Sequence, residues 1–372
     1  MLKKRGKDLT EDALKCSIGK PPLDAWQATI DCVGLAGVSA TDLYAESEAE
    51  LTEHWHEATY MPGALRLIRH LQSDPTLKIG LATSTPRAVL AKKIANKPLL
   101  QQVFQAIVCG DDDDLLRKGK PNPACFAKVC KLLDVTPEST LVFEDAPSGL
   151  LAAIDAGCRV VYVPSIVDDM TLDDDERADR IQRRKTLLDF DPTTFSLPGF
   201  RDSIEGTIPL HDPESVIRIR GKVVKGFGRG SKTLGIPTAN VDTVALARVV
   251  PGATTGIFYG WASLDAYPGA VYATALSIGW NPYFSDSTEK TCEPWILHDF
   301  GEGANFCGTG ISLVILGFIR PESAEFSSLE ALVQRIREDG NVTRRVLQTE
   351  DMMRWREDPF LRSGVDASAG AF

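Results

Sequence analysis

Two sets of residues in this chain have types and spacings that can do chemistry on phosphates. The first is Thr83 in "LATSTP", Lys120 in "GKPNPACF", and the adjacent Glu144 and Asp145 in "VFEDAPSGLLAAIDAG". A hydroxyl and a lysine can hold a phosphate, and a carboxylate pair can hold Mg²⁺ through its oxygens. The second set begins in "KGFGRGSKTLGIPTAN" (225–240), where Gly226, Gly228, Gly230 and Lys232 precede Thr238 and Asn240. Backbone N–H groups of such a glycine loop can turn toward an anion, and Arg229 and Lys232 add positive charge. In extended chain Thr238 and Asn240 project to one side, offering a hydroxyl and an amide oxygen to Mg²⁺. Glu293 stands near Trp295 and Phe300. Apolar surroundings raise a carboxyl pKa and suit it to work as a base.

The glycine stretch nearly spells Gly-x-x-x-x-Gly-Lys-Ser/Thr, with Ser231 at the second glycine. A phosphate loop of that kind feeds directly into a helix. Here "LGIPTANV" follows, and Gly235 and Pro237 prevent a clean helix start. A dinucleotide fingerprint fails for the same reason. Each residue also has a plain alternative. The glycines can form a flexible polar hairpin, Thr-x-Asn can be an ordinary strand pair, and Glu293 can be a rim carboxylate paired to a lysine. Thr83, Lys120 and Asp145 can be a strand cap, a solvated side chain and a helix N-cap.

The elements that must position these residues fall into two halves. Residues 1–60 show helical spacing. Apolar runs then alternate with helical segments: "LKIGLAT", the helical "AVLAKKIANKPLLQQVF", "AIVCG", the helical "PACFAKVCKLLDV", "TLVFED", the helical "SGLLAAIDAG" and "RVVYVPS". That alternation predicts a mostly parallel sheet with helices on its faces, and strand ends are where such sheets build sites. Charged, Pro- and Gly-rich chain over 166–212 reads as a linker. Beyond it, "VIRIRGKVV", "GIFYGWASL", "VYATALSIG" and "ISLVILGFI" are strand candidates rich in Val, Ile and aromatics. One helix closes the set, with a capping box at Ser327 and Glu330 and an apolar face of Leu329, Leu332, Val333 and Ile336. Antiparallel strands plus one helix suggest a small closed β-barrel.

Bulk properties narrow the function classes. At 372 residues two domains are expected. A net charge of −10 argues against nucleic-acid and acidic-membrane partners. The eight cysteines include no C-x-x-C pair, so scattered free thiols in a reducing compartment are expected, with a zinc site as the alternative. "MLKKRGKDLT" lacks the apolar core of a secretory signal, and "ISLVILGFI" is about half a membrane span. A cytoplasmic protein is expected.

The motifs of the first half resemble the haloacid-dehalogenase-like hydrolase superfamily over residues 1–165. The resemblance implies that Thr83 and Lys120 grip a phosphate, that Glu144 and Asp145 help bind Mg²⁺, and that residues 1–60 are a helical cap. The nucleophile of that family lies in an Asp-x-Asp-x-Thr motif on a central strand ahead of the cap. No such motif stands there in this sequence, so an incomplete core without phosphatase turnover is expected.

The second half, in the order "GKVVKGFGRGSKTLGIPTANV", "GIFYGWAS", "SIGWNPYF", "CEPWILHDF" and "LGFIRPE", resembles riboflavin kinase over a domain of residues 213–356, with 357–372 as a tail. The resemblance implies a six-stranded antiparallel barrel, ATP as phosphoryl donor, Mg²⁺, and riboflavin, FMN and ADP as the other partners. It implies that Gly226 and Lys232 contact ATP within the loop of Gly226, Gly228 and Gly230, and that Thr238 and Asn240 ligate the metal. Glu293 is then the base. Ile296, His298 and Cys307 line the nucleotide pocket, and Arg320 lies near the flavin. "EGANFCG" (302–308) departs from the family's Glu-Asp-Phe-Tyr-Gly by two extra residues, which weakens the assignment of Cys307. The fusion of both halves resembles the bifunctional FMN hydrolase/riboflavin kinases of plants.

Overall fold

Local capping and helical spacing agree over the first sixty residues. Thr10 and Ser39 accept hydrogen bonds from the N–H groups of Ala13 and Asp42. Pro22 occupies a first-turn position where no N–H is needed. The results are α1 (Glu11–Ser17), α2 (Pro22–Val33) and α3 (Ala40–Leu51), the last two packed around Ile30 and the fully buried Leu43. The computed structural model describes residues 1–372 except 56–57, 116–117, 165–177, 211, 213–214, 226–237, 248, 251–253, 281–289, 302–305, 323–325 and 363–372. The chain divides into two compact units, Met1–Tyr60 with Ala64–Lys185, and Met61–Gly63 with Thr186–Phe372.

The first unit continues with α4 (Ala64–Gln72), β1 (Gly80–Ala82), α5 (Arg87–Lys93), α6 (Pro98–Gln102), β2 (Ala106–Val108), α7 (Ala124–Leu133), β3 (Leu141–Glu144), α8 (Pro147–Asp155), β4 (Arg159–Tyr162) and β5 (Ile181–Arg183). The single helix expected from "AVLAKKIANKPLLQQVF" is broken in two. Pro98 disfavours helical backbone at the residue before it, and Lys97 sits at φ −122°, ψ 77°. β1 pairs with β2, β3 with β4, and β4 with β5, all parallel, as the alternation requires. β5 falls inside the stretch expected to be linker and extends the parallel sheet instead.

Among the described residues no strand joins these two sheets. A cavity of about 1060 Å³ is lined by Leu81 and Ala82 of one and by Phe143 and Glu144 of the other. The turn after α1 touches both sides of it. Ser84 Oγ donates to the carbonyl of Gly19 at 2.9 Å, and Ser148 Oγ to that of Ile18 at 3.4 Å. Gly19 is required there. Its φ is +75°, and a Cβ would stand 2.4 Å from the Ala146 methyl.

The second unit is all antiparallel in its sheet. Its elements are β6 (Ile208–Pro209), β7 (Ile217–Val224), β8 (Asn240–Val241), α9 (Thr243–Ala247), β9 (Gly256–Leu264), β10 (Tyr272–Trp280), β11 (Lys290–Ile296), β12 (Gly310–Arg320), α10 (Leu329–Leu347) and α11 (Glu350–Met353). Neighbours run β12-β7-β8-β11-β10-β9, and β9 pairs back onto β12, closing a six-stranded barrel; β6 adds to β12. Phe258, Leu276, Ile278, Cys292, Ile311 and Leu313 fill the interior. Tyr259, Trp261, Val314 and Leu316 face outward and are covered by Val346, Leu347 and Met352. Both faces of β12 are therefore buried, which explains its unbroken apolar run. Gly260 lets β9 and β12 close, since a Cβ there would stand 2.1 Å from the Val314 carbonyl oxygen.

Two expectations about this unit need correction. Ser328, not Ser327, caps α10, accepting from Ala331 N–H at 3.1 Å. Glu330 thus falls one position short of completing a capping box, and Leu329 is exposed rather than on the packed face. In addition, β8 and β11 join the four expected barrel strands. Pro294 disguises β11, because proline lacks a ladder donor; here its carbonyl accepts from Ala239 N–H at 2.9 Å.

Candidate active site

Pairing of β8 with β11 builds the centre of the kinase-like site. Val241 lies opposite Cys292, both buried inside the barrel. Antiparallel register, with the Ala239–Pro294 hydrogen bond on the same ladder, sets Asn240 opposite Glu293 on the outer face. Thr238 shares that face two residues earlier; Thr238 and Asn240 are half-buried while Ala239 between them is buried. Cβ atoms of directly opposed residues lie ~4.5–5.5 Å apart. One patch therefore combines a carboxylate, an amide oxygen and a hydroxyl.

Electrostatics single out Glu293. Burial alone pushes its carboxyl above the usual carboxylate range. It forms no ion pair or hydrogen bond among the described residues, so the rim carboxylate paired to a lysine is not what the fold builds. Thr238 and Asn240 likewise have no side-chain partner among the described residues. Two neutral hard oxygens beside a lone carboxylate are a donor set that fits Mg²⁺. Thr238 and Ala239 lead directly into β8 at Asn240. Gly226, Gly228, Gly230 and Lys232 lie outside the described residues.

The other expected residues distribute around the barrel end and its helix. Ile296 is part of the barrel core, and the Phe300 and Phe306 rings, 4.6 Å apart, pack against that core. His298 is exposed and stacks 4.8 Å from Tyr272 and 4.7 Å from Phe300. Cys307 is exposed beside Phe306, and Gly308 N–H donates to the Val223 carbonyl at 2.7 Å, close to the stem of the glycine loop. Arg320 ends β12 and grips Asp339 of α10 with two hydrogen bonds of 3.0 and 2.7 Å. Composition alone gave no sign of that pair.

Lys290, at the start of β11, was not singled out by the sequence. Burial lowers its ammonium to about 7, with nearby Glu322 acting in the opposite sense. The folded value lies below the unfolded one, so stability rises with pH between about 7 and the ordinary lysine value near 10.4. Lys290→Met is expected to raise the melting midpoint most at pH 6 and progressively less toward pH 9. Thermal unfolding of both proteins across that range checks this; an equal shift at every pH contradicts it.

In the first unit, Thr83, Lys120, Glu144 and Asp145 all line the cavity beside the two parallel sheets. Lys120 is buried, its ammonium paired directly with the Glu144 carboxylate and 3.3 Å from the Ala82 carbonyl. Thr83 Oγ1 accepts from Thr85 N–H at 3.1 Å, and Asp145 is exposed. All eight cysteines are free thiols. Cys109, Asp111 and Asp112 could share an ion, but Asp112 is already held by Arg87 at 2.8 Å and Lys128 at 2.9 Å. No helix among the described residues is long and apolar enough to cross a membrane.

A six-stranded kinase-type barrel carrying a lone desolvated carboxylate, joined to a parallel-sheet unit of hydrolase type, defines a two-domain phosphate-handling protein. The riboflavin kinase family model matches residues 214–347, and the haloacid dehalogenase-like hydrolase model residues 6–157. "Bifunctional riboflavin kinase/FMN phosphatase" of Arabidopsis thaliana is 39% identical over 344 residues, covering 92% of this chain and 86% of that protein. Riboflavin kinase of Homo sapiens is 42% identical over 143 residues, 38% of this chain and 88% of that one. The crystal structure of riboflavin kinase from Trypanosoma brucei is 30% identical, covering 41% of this chain and 89% of that chain, with a TM-score of 0.32. The chain belongs to the bifunctional riboflavin kinase/FMN phosphatase family.

Proposed function

We propose that this chain transfers the terminal phosphoryl group of ATP to riboflavin, giving FMN and ADP. The observation that carries the reading is the lone, desolvated Glu293 set opposite Asn240, at the strand that leaves the glycine loop. In this reading the terminal ribityl hydroxyl lies beside Glu293, which accepts its proton as the hydroxyl oxygen attacks. Thr238 and Asn240 would hold a divalent cation, which when bound supplies charge neutralisation at the ATP phosphates. Gly226 and Lys232 would contact the nucleotide, as the resemblance to riboflavin kinase implies. Phosphoryl transfer needs little covalent help, so orientation and charge placement supply most of the acceleration.

A second reading is supported by the family: hydrolysis of FMN by the first unit, with Thr83, Lys120, Glu144 and Asp145 around its cavity. No Asp-x-Asp-x-Thr occurs over residues 1–60. With this chain, incubation with riboflavin, ATP and Mg²⁺ is expected to form FMN, while FMN alone stays intact. Chromatographic separation of the two flavins checks both. Failure of ATP-dependent FMN formation, with flavin still bound, overturns the kinase reading; release of riboflavin from FMN establishes the second activity.

A further inference from the structure

β10 is a neighbour of the base that the proposed reaction leaves unused. Its register places Ser277 directly opposite Glu293 on one side and opposite Ile257 on the other. Leu276 and Ile278 point into the barrel, so Ser277 shares the outer face with Glu293. Ser277 is half-buried, and its hydroxyl makes no hydrogen bond among the described residues. At a cross-strand Cβ separation of ~4.5–5.5 Å a serine can reach a glutamate. It does not do so here. The hydroxyl is therefore open to a ligand on the same face, one strand away from the Glu293 carboxylate.

We propose that Ser277 binds substrate, hydrogen-bonding the hydroxyl vicinal to the one that Glu293 deprotonates. This rests on the kinase reading, in which the substrate carries a polyol chain with hydroxyls on neighbouring carbons. Two oxygens on adjacent carbons are close enough for side chains one strand apart to take one each. Holding the second oxygen fixes rotation about the terminal carbon–carbon bond and aims the nucleophile. A ligand with a single terminal hydroxyl lacks that grip, so Ser277 selects for a vicinal diol.

The test compares riboflavin with 4′-deoxyriboflavin, which lacks only the neighbouring hydroxyl, in steady-state assays of the full chain and of Ser277→Ala. The unaltered chain is expected to lose about tenfold in kcat/KM on the deoxy substrate, the worth of one hydrogen bond. Ser277→Ala is expected to lose about tenfold on riboflavin and nothing further on the deoxy substrate, with KM for ATP and the melting midpoint unchanged. Ser277→Thr, which keeps the hydroxyl, is expected to retain the discrimination. If Ser277→Ala still discriminates as the unaltered chain does, or keeps native riboflavin kinetics, this inference is wrong while the kinase reading stands. An unaltered chain that forms no FMN overturns both.

Discussion

Glu293→Gln is expected to lower kcat for FMN formation by about 10³-fold, within the range for removal of a general base, while ATP binding stays near native. The proton acceptor is lost, but the proposed metal ligands Thr238 and Asn240 are unchanged. The pH profile gives a second check. Activity needs the ionised carboxylate, and burial raises the pKa of that group. The acid limb of kcat/KM is therefore expected above the ordinary carboxylate range, and absent from the residual activity of the variant. Stability should move the other way. A carboxyl with a raised folded pKa favours its protonated form in the fold, so its contribution is fully present below the unfolded pKa and lost as pH rises through the folded one. At neutral pH the ionised side chain is a cost. Glutamine removes it at nearly equal size, so the melting midpoint at pH 7 is expected to hold or rise, with the gain shrinking toward acid pH. A carboxylate whose role was an ion pair would show a fall instead. Near-native turnover would refute the assignment.

How much of this site was legible in the sequence depends on which forces act on each segment. β7, β9, β10 and β12 pack apolar side chains against large neighbours, so their composition announces them. β8 and β11 carry the proposed metal ligand and base and were harder to read. β8 is two residues long, and β11 alternates Lys290, Cys292, Pro294 and Ile296 inward with Thr291, Glu293 and Trp295 outward. Alternation was present there, but a lysine and a proline on the inward face masked it. Thr-x-Asn parity was readable, because side chains two apart in a strand must share a face. That Glu293 stands opposite Asn240 was not, since register across some fifty residues is fixed by barrel closure and not by local sequence. Ser277 was invisible for the same reason. In the first unit, the alternation of strand and helix announced β1 to β4 and put Thr83 and Glu144 at strand ends, whereas β5 lay in the stretch read as linker. The direct pairing of Lys120 with Glu144 was not, because it depends on how β1 and β3 are set about the cavity.

Asp339→Asn is expected to be the most destabilising single substitution proposed for the barrel unit, at about 1.5–3 kcal/mol, the range for hydrogen bonds to charged groups. Asp339 is 3% exposed and lies mid-helix in α10. Its carboxylate takes both hydrogen bonds from Arg320, and Arg335 approaches the same oxygen at 3.4 Å. Asparagine keeps the shape but removes the charge, and it can accept through one oxygen where two were used. The half-buried guanidinium at the end of β12 then loses its bidentate carboxylate. The next residue, Gly340, lies against Trp295, so close that a Cβ would come within 2.5 Å of the ring. Asp339 thereby seats α10 on the strand that carries Glu293. Loosening that seat is expected to raise KM for riboflavin as well as to lower the denaturant midpoint, with little change in m-value because the same surface is buried. Urea unfolding and riboflavin titration of the variant measure the two effects. A variant with native stability would show that Arg320 finds its compensation elsewhere and that the helix is held by apolar packing alone.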